Sequence, residues 1–333
     1  MKFYKGMDLS TIKEVESLGG KFYDHGEERD VFEILKSYGV NAVRLRLWND
    51  PYAEDGTPYG AGTNDLPTTI ELAGRAKAHG MEVLLCIHYS DFWADPGKQR
   101  VPKAWRGMDA ERLTDTVYTY TRDTLLAMRQ AGVFPDLIQV GNELTNGMLW
   151  PQGKLLECGN YDNLAKFVSA GIRAVRSLDQ ELPVMIHLDN GGNAPMYRDW
   201  FDHYMKRGED FQIIGLSYYP FWHGTLEALQ NNMNDLAVRY GKELVIAEVS
   251  MGFTMKDYGI YEELAENERK GYATKPELVE KLQFPMSKEG QAEFMKALFS
   301  VMEQVPEGKC RGFFYWEPAW IPVPGSGWAN EAA

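Results

Sequence analysis

The sequence of 333 residues predicts an α/β protein, a single-domain (β/α)8 TIM barrel formed by residues 1–333. Short runs rich in β-branched and aromatic residues alternate with longer segments that carry apolar residues at helical spacing. The alternation continues for eight units, which is more than the roughly five or six strands of a doubly wound sheet. No linker of Pro, Gly and Ser divides the chain, and no glycine-rich phosphate loop follows the first strand.

The first half of the chain predicts four strands and the helices between them. The first helix ends at Gly39, a residue favoured just past a helix terminus, and the second has Pro67 in its first turn and Gly80 at its end. The predicted strands of this half are residues 3–10, 41–48, 81–93 and 135–143, and the predicted helices are residues 28–39, 66–80 and 109–131.

The second half repeats the scheme. Its predicted helices are residues 161–178, 196–207, 226–240 and 288–304, and its predicted strands are residues 183–190, 211–222, 243–250 and 312–320. After Trp320 the chain reads "IPVPGSGWANEAA", which has no helical apolar pattern. The predicted barrel therefore lacks its eighth helix in this sequence.

Composition and charge exclude several classes of partner. A net charge of −13 disfavours nucleic acid and anionic membranes, since both are bound through basic surfaces. No apolar run approaches the ~18 residues of a transmembrane span. The N-terminus "MKFYKGMDLS" has no apolar leader segment, so the protein is either cytoplasmic or exported with its leader removed. The spacing of Cys86, Cys158 and Cys310 indicates neither a disulfide framework nor a zinc site.

Polar residues follow the apolar run of every predicted strand. The active site of a TIM barrel lies at the carboxyl ends of its strands, so we expect these side chains to converge on one mouth. A single polar residue at a strand end is usually explained by helix capping or solvent exposure, but polar residues at all eight strand ends favour an active site. They are Asp8; Arg44 and Arg46; His88 and Asp91; Asn142 and Glu143; His187, Asp189 and Asn190; Ser217, Tyr218 and Tyr219; Glu248; Trp316 and Glu317.

Two of these residues are candidates for acid–base and nucleophilic work. Glu143 in "VGNE" and Glu248 in "IAEVS" end the fourth and seventh strands, where they would face each other across the mouth. Such a pair hydrolyses acetals, with retention when the carboxyl groups are about 5 to 5.5 Å apart and with inversion at about 6.5 to 9.5 Å. We expect Arg46 and Tyr218 to contact and ionise a carboxylate, and the Asn142 amide to bind a sugar hydroxyl.

Tryptophan residues near the strand ends are candidate platforms for sugar rings. Trp316 on the eighth strand is the main candidate, whereas Trp93, Trp222, Trp320 and Trp328 are predicted on loops. For the loop residues, packing beneath the loop is an equally good interpretation.

Several motifs together resemble one family. "RLRLW", "IHYSDFWADPGKQRVPKAW", "QVGNE", "SYYPFW", "IAEVS" and "YWEPAW" are similar to the endo-β-1,4-galactanases of glycoside hydrolase family 53, in the clan of retaining (β/α)8 glycosidases. The resemblance extends from "KGMDLS" to "YWEPAW", and the third-strand motif is its most specific part.

The resemblance implies Glu143 as acid/base, Glu248 as nucleophile, and cleavage inside β-1,4-galactan, the side chain of type I arabinogalactan, with retention. Predicted substrate-binding or supporting residues are Asp8, Arg46, His88, Trp93, Asn142, His187, Asp189, Tyr218, Trp316 and Trp320. Some bacterial relatives bind calcium in a seventh loop of alternating Asp, Asn, His and Gly. Here that loop contains "MKDYGIYEELAENERKGYATKPELVEKLQFPMSKEG", with Asp257 as a poor nucleus, and we predict no calcium, no cofactor and a monomer.

Three alternatives remain open at this point. A mannanase or cellulase of the same clan would use the same glutamates, because loops select the sugar. A carbohydrate-binding barrel without catalysis would be expected to have lost one glutamate, and both are present. A metal-dependent barrel would use His88, His187 and nearby carboxylates as ligands.

Overall fold

The computed structural model describes residues 2–155, 159, 161–256, 273–330 and 333. Eight parallel strands close into a barrel in which each strand pairs with its sequence neighbours and the last pairs with the first. The strands are β1 (Tyr4–Asp8), β2 (Ala42–Leu47), β3 (Glu82–Ile87), β4 (Leu137–Val140), β5 (Val184–Leu188), β6 (Ile213–Tyr218), β7 (Glu243–Val249) and β8 (Cys310–Tyr315). The predicted fold is confirmed; β1 to β7 lie within their predicted ranges, whereas β8 begins at Cys310, two residues before its predicted start.

Helices surround the barrel. They are α1 (Ile12–Ser17), α2 (Val31–Ser37), α3 (Leu66–Ala78), α4 (Ala110–Gln130), α5 (Tyr161–Leu178), α6 (Ala194–Tyr204), α7 (Leu226–Tyr240), α8 (Pro276–Val279) and α9 (Lys288–Glu303). Side-chain caps set several of their starts: Asp65 accepts from the Thr68 amide at α3, and Thr225 accepts from the Ala228 amide at α7. Such caps satisfy amides that have no partner within the helix.

Several short elements, among them the four-residue α8, were not predicted, and one feature agrees with the sequence. The six-residue α1 and a small hairpin, Tyr23–Asp24 with Glu27–Glu28, fill the stretch between β1 and α2. No helix is found in residues 316–330, the described stretch after β8, as predicted. Part of the loop for which we predicted no calcium, residues 257–272 with Asp257, lies outside the described residues, so that prediction stays untested.

The barrel interior is filled below its mouth. Inward-facing Leu84, Met185, Val245 and Phe314 belong to one buried cluster with other apolar residues from the strands. Gly6 on β1 makes room for the Phe314 ring, because a Cβ there would lie 2.2 Å from a ring carbon. This packed layer is a floor that holds the polar strand ends above it in fixed positions.

Candidate active site

Two glutamates face each other at the mouth of the barrel. Glu143 lies three residues after the end of β4, and Glu248 is the second-last residue of β7. They are 9% and 7% exposed. One carboxylate oxygen of each and a ring nitrogen of His187 all lie within 4.8 Å of one another. A nearest-oxygen distance of at most 4.8 Å fits the ~5 to 5.5 Å between carboxyl groups in double displacement better than the ~6.5 to 9.5 Å that seats a water for inversion.

Glu248 receives strong donors on both oxygens. Arg44 Nη2 lies 2.8 Å from Glu248 Oε1, and the Tyr219 hydroxyl donates to Oε2 at 2.8 Å. A cation and a hydroxyl both favour the ionised carboxylate. The sequence predicted Arg46 and Tyr218 as the groups that bind the nucleophile. Arg46 contacts the carboxylates of Asp8 and Glu317 rather than Glu248, and the prediction for Tyr218 is wrong.

The alternation of side chains along β6 explains the error for Tyr218. Its ring stacks on Phe294 of α9 at 6.3 Å, and its hydroxyl donates to the Gly224 carbonyl, so it belongs to the layer between sheet and helices. Ser217 and Tyr219, one residue to either side, point to the mouth instead. Successive strand residues face opposite sides, so a site reached by the neighbours excludes the residue between them.

Glu143 is surrounded by groups that favour its protonated form. Burial raises the pKa of its carboxyl well above the usual value, and the negative charges of Glu248 and Asp189 raise it further. Ser217 Oγ donates to Glu143 Oε1 at 2.7 Å, which opposes this shift by stabilising the ionised form. The two carboxyls therefore differ: one is held by a guanidinium, the other is desolvated beside negative charges.

A chain of hydrogen bonds supports Ser217 from below. His187 is fully buried, and its Nε2 lies 2.9 Å from Ser217 Oγ. Burial and then the charge of Arg44 hold the pKa of His187 well below its usual value, so the ring is neutral. When Ser217 donates its single proton to Glu143, its oxygen accepts from Nε2–H of His187. Nδ1 then accepts from Gln139 Nε2 at 3.0 Å.

Asn142 is fixed by Arg44 and by the third loop. Its Oδ1 accepts from Arg44 Nη2 at 2.8 Å, and its Nδ2 donates to the Ala94 carbonyl at 2.9 Å. The second hydrogen on Nδ2 is not used by the bond to Ala94. Asn142 directly precedes Glu143 in the sequence. The predicted contact between Asn142 and a sugar hydroxyl stays a prediction that this orientation supports.

Behind the mouth lies a second set of buried charges. Asp8 Oδ2 accepts from Arg44 Nη1 at 2.7 Å, and Asp8 Oδ1 lies 3.2 Å from Arg46 Nη1. Arg46 Nη1 also lies 2.6 Å from Glu317 Oε1, and Thr11 donates to Glu317 Oε2 at 2.7 Å. Burial alone would raise the pKa of Asp8, but Arg46 and Arg44 lower it below its usual value. Asp8 is completely buried, so it supports the site from within the barrel.

Four tryptophans form an aromatic wall beside these charges, defined here as Trp93, Trp316, Trp320 and Trp328. Trp328, from the segment after β8, stacks on Trp93 at 4.3 Å and accepts the Trp93 Nε1 hydrogen bond at its carbonyl. Trp93 is 7% exposed and Trp328 is 53% exposed, so the outer ring presents the free face. Trp222, on the loop after β6, is also exposed and packs edge-on against Phe221. Direct contact of these rings with a sugar stays a prediction.

The side chains that could ligate a metal already contact other protein groups. Glu143, His187 and Glu248 form the group of converging ligand atoms found among the described residues. Arg44 lies 2.8 Å from Glu248, and a guanidinium at that distance opposes a divalent cation. His88 lies apart from this group: its Nδ1 accepts from Trp48 Nε1 at 3.2 Å. Burial, with Arg44 and Arg46, holds the pKa of His88 well below its usual value.

The sequence alone did not predict a specific role for several residues of the site. Most of them ended strands as polar residues, and the signal for Gln139 was a lone polar side chain inside the apolar run "LIQV". Thr145, which hydrogen-bonds to the predicted substrate-binding Asp189, gave no signal. They are Arg44, Gln139, Thr145, Ser217, Tyr219 and Glu317.

A closed (β/α)8 barrel with a close carboxylate pair, one bound by a guanidinium and one whose pKa is raised by burial, defines the class of glycoside hydrolases. None of the helices in the described part of the chain could span a lipid bilayer.

Comparison with known proteins identifies the family within that class. The profile of glycosyl hydrolase family 53 matches residues 4–333. The endo-beta-1,4-galactanase of Bacillus subtilis (strain 168) is 39% identical over 350 residues, covering 99% of this chain and 77% of the relative. The arabinogalactan endo-beta-1,4-galactanase of Humicola insolens is 33% identical over 327 residues, covering 96% and 90%. The solved Ignisphaera aggregans GH53 catalytic domain superposes with a TM-score of 0.91 at 38% identity, covering 99% and 88%. The chain belongs to glycosyl hydrolase family 53.

Proposed function

We propose that the protein is a retaining endo-β-1,4-galactanase that cleaves internal bonds of galactan and type I arabinogalactan, with Glu143 as acid/base and Glu248 as nucleophile. The observation that carries this proposal is the asymmetry of the close glutamate pair. Glu248 accepts from Arg44 and Tyr219, whereas burial and neighbouring carboxylates raise the pKa of Glu143 well above its usual value. The names of the relatives support galactan as the substrate.

In the first step, Glu143 donates its proton to the glycosidic oxygen while a Glu248 oxygen attacks the anomeric carbon. The bond from carbon to the leaving oxygen breaks, and a covalent galactosyl ester forms on Glu248. As negative charge leaves Glu248, Arg44 keeps its contacts with Asp8, so its own charge stays balanced.

In the second step, Glu143 is ionised and takes a proton from a water that attacks the same carbon. The ester bond to Glu248 breaks, and two inversions at one carbon leave the original configuration. The Ser217 hydroxyl, 2.7 Å from Glu143, stabilises the ionised acid/base between the two steps.

The substrate assignment is tested by a reducing-sugar assay with galactan, mannan and cellulose at equal mass concentration. We expect rapid release of reducing ends from galactan, with a fast fall in viscosity because internal bonds are cut. Proton NMR of the first products should show the β-anomer before mutarotation. Hydrolysis of mannan or cellulose without galactan would replace the substrate, and an initial α-anomer would refute retention.

We further propose that residues 1–333 act as one catalytic domain and as a monomer, without nucleic-acid or membrane partners. The net charge of −13 supports the last two points. Sedimentation at several protein concentrations tests the oligomeric state, and a mass that doubles within the assay range would refute the monomer.

A further inference from the structure

Glu317, at the end of β8, is buried next to the catalytic pair but does not touch it. The residue is 6% exposed and has a φ of 44°, in the left-handed region that is uncommon for glutamate. Its Oε1 lies 2.6 Å from Arg46 Nη1, and its Oε2 accepts from the Thr11 hydroxyl at 2.7 Å. Oε1 is buried at ion-pair distance from Arg46 without a well-aligned hydrogen bond, and Oε2 is bonded to Thr11. Both oxygens thus face protein groups, which makes a direct sugar contact a poor explanation for Glu317.

Glu317 is instead the outer end of a line of alternating charges that ends at Glu248. Glu317 contacts Arg46, and Arg46 contacts Asp8 at 3.2 Å. Asp8 in turn contacts Arg44 at 2.7 Å, and Arg44 contacts Glu248 at 2.8 Å. These four contacts join side chains from β1, β2, β7 and the end of β8. Asp8, Arg44 and Arg46 are at most 1% exposed, so water does not replace a lost partner.

The position of Arg46 depends on Glu317. Arg46 uses Nη1 for both carboxylates, and its Nε and Nη2 have no hydrogen-bond partner among the described residues. The rest of its guanidinium lies against aromatic faces, 4.6 Å from the Trp93 ring centre and 5.8 Å from that of Trp48. Without Glu317, the remaining polar partner of Arg46 is Asp8, which Arg44 also needs.

The line contains three acids and two arginines, so one acid must be neutral if the buried group is to carry no net charge. Asp8 is paired with both arginines, whereas Glu317 has one. Burial raises the pKa of Glu317 to about 8, with Arg46 opposing the shift and Asp8 adding to it. Protonation is therefore favoured on Glu317 over Asp8, whose pKa is lowered, and a neutral side chain of the same shape should replace Glu317.

We propose that Glu317 is a positioning residue for the reaction: it shares the Arg46 guanidinium with Asp8, so that Arg46 contacts only Oδ1 of Asp8 and leaves Oδ2 to orient the Arg44 guanidinium against the nucleophile Glu248. This inference rests on the proposed function. It predicts that Glu317 affects the attack step far more than it affects substrate binding.

The attack step is measured by trapping with a 2-deoxy-2-fluoro-β-galactobiosyl fluoride. Glu248 forms the bond to the anomeric carbon, the bond from that carbon to fluorine breaks, and fluoride leaves, so the labelling rate reports the nucleophile without requiring Glu143 as acid. Mass spectrometry of the labelled peptide identifies the residue. KM and kcat on galactan are measured in parallel.

We expect wild-type protein to be labelled at Glu248, and Glu317→Ala to be labelled at least about tenfold more slowly, since a small misplacement of catalytic groups has large effects on rate. Its kcat should fall by a similar factor while KM changes by less than about threefold. Glu317→Gln, which keeps the shape of the protonated acid, should restore labelling to within about threefold of wild type.

A matched control separates positioning from stability. Asp136 lies at the opposite end of the barrel, where it accepts from the Val83 amide at 2.8 Å and from Lys77 at 3.0 Å. Asp136→Asn should lower the melting temperature without changing the labelling rate. If Glu317→Ala does not fold, Glu317→Asp decides, because the shorter side chain withdraws the carboxyl from Arg46.

The outcomes distinguish the two proposals. Active wild type with Glu317→Ala or Glu317→Asp labelled at the wild-type rate would overturn the positioning role and leave the proposed function intact. An equal slowing in Glu317→Gln would also overturn it, because charge rather than shape would then matter. Wild type that is not labelled at Glu248 would overturn the proposed function and this inference with it.

Discussion

Ser217→Ala should move the alkaline limb of the pH–rate profile to higher pH. Ser217 is fully buried and donates to Glu143 Oε1 at 2.7 Å, and no other side-chain donor to this carboxyl is found among the described residues. Removing the hydroxyl destabilises the ionised acid more than the protonated one. The pKa of Glu143, already raised by burial and by Glu248, should therefore rise further.

The size of this shift follows from the two forms of the hydrogen bond. A buried hydrogen bond to a charged group contributes about 1.5 to 3 kcal/mol, and one between neutral groups contributes about 0.5 to 1.5 kcal/mol. The difference of roughly 1 to 1.5 kcal/mol corresponds to about one pKa unit. At pH values below the limb the acid is protonated in both proteins, so kcat/KM there should change little.

The assay is kcat/KM on soluble galactan across the pH range in which both proteins remain folded, with stability checked by thermal unfolding at each pH. Ser169→Ala is the matched control, because Ser169 is a buried serine of α5 that accepts from the Glu209 amide at 2.9 Å, remote from the mouth. Its profile should match wild type. An alkaline limb of Ser217→Ala that stays in place, or that moves to lower pH, would refute Glu143 as the acid or Ser217 as its donor.

Three further predictions follow from the same contacts. Glu248→Gln should abolish turnover, by more than about 10³-fold, while calorimetry shows galacto-oligosaccharide binding retained; measurable turnover near wild type would remove Glu248 from the nucleophile role. Glu317 has a folded pKa of about 8, above its usual 4.5, so the folded state binds the extra proton and its stability falls as pH rises between these values. Glu317→Gln should therefore gain melting temperature relative to wild type from pH 5 to pH 8, and a constant difference would contradict the shift. Excess chelator should leave full activity, and loss restored by a divalent cation would revive the metal-dependent alternative.

Long amphipathic helices could be predicted closely from the sequence. Both α5 and α7 begin and end at the predicted residues, because their apolar stripes extend over several turns and stop at clear boundaries. The six residues of α1 were missed, since "IKEVES" is too short to establish a period and is held by packing of Ile12 and Val15. Tertiary contacts therefore determine the short elements near the mouth, where sequence patterns are least informative.

The identity of the ionising partner of Glu248 was beyond the sequence for a different reason. Arg44 and Arg46 lie two residues apart on β2 and both face the barrel interior. The pattern of "RLRLW" thus predicts two buried arginines, but which one reaches Glu248 depends on their depth in the barrel. The register places Arg44 beside Asp8 of β1, one layer below Arg46, and that depth brings it to Glu248.

The close approach of the two glutamates depends on local departures from regular strand geometry. Along β7, Val245 and Ala247 both face the interior, so strict alternation would turn Glu248 outward. Pairing with β6 instead shifts between Ile246 and Glu248, which is a bulge that re-aims the carboxylate to the mouth. Glu143 reaches the same point through a left-handed conformation, with φ of 48° and ψ of 58°. The alternation of apolar and polar residues in the sequence predicts neither the bulge nor the left-handed turn. Both occur at the two residues for which we propose the chemistry. The regular part of the barrel is thus encoded in a pattern that the sequence displays, whereas the separation that selects retention over inversion arises from a bulge and a strained turn that only the folded chain reveals.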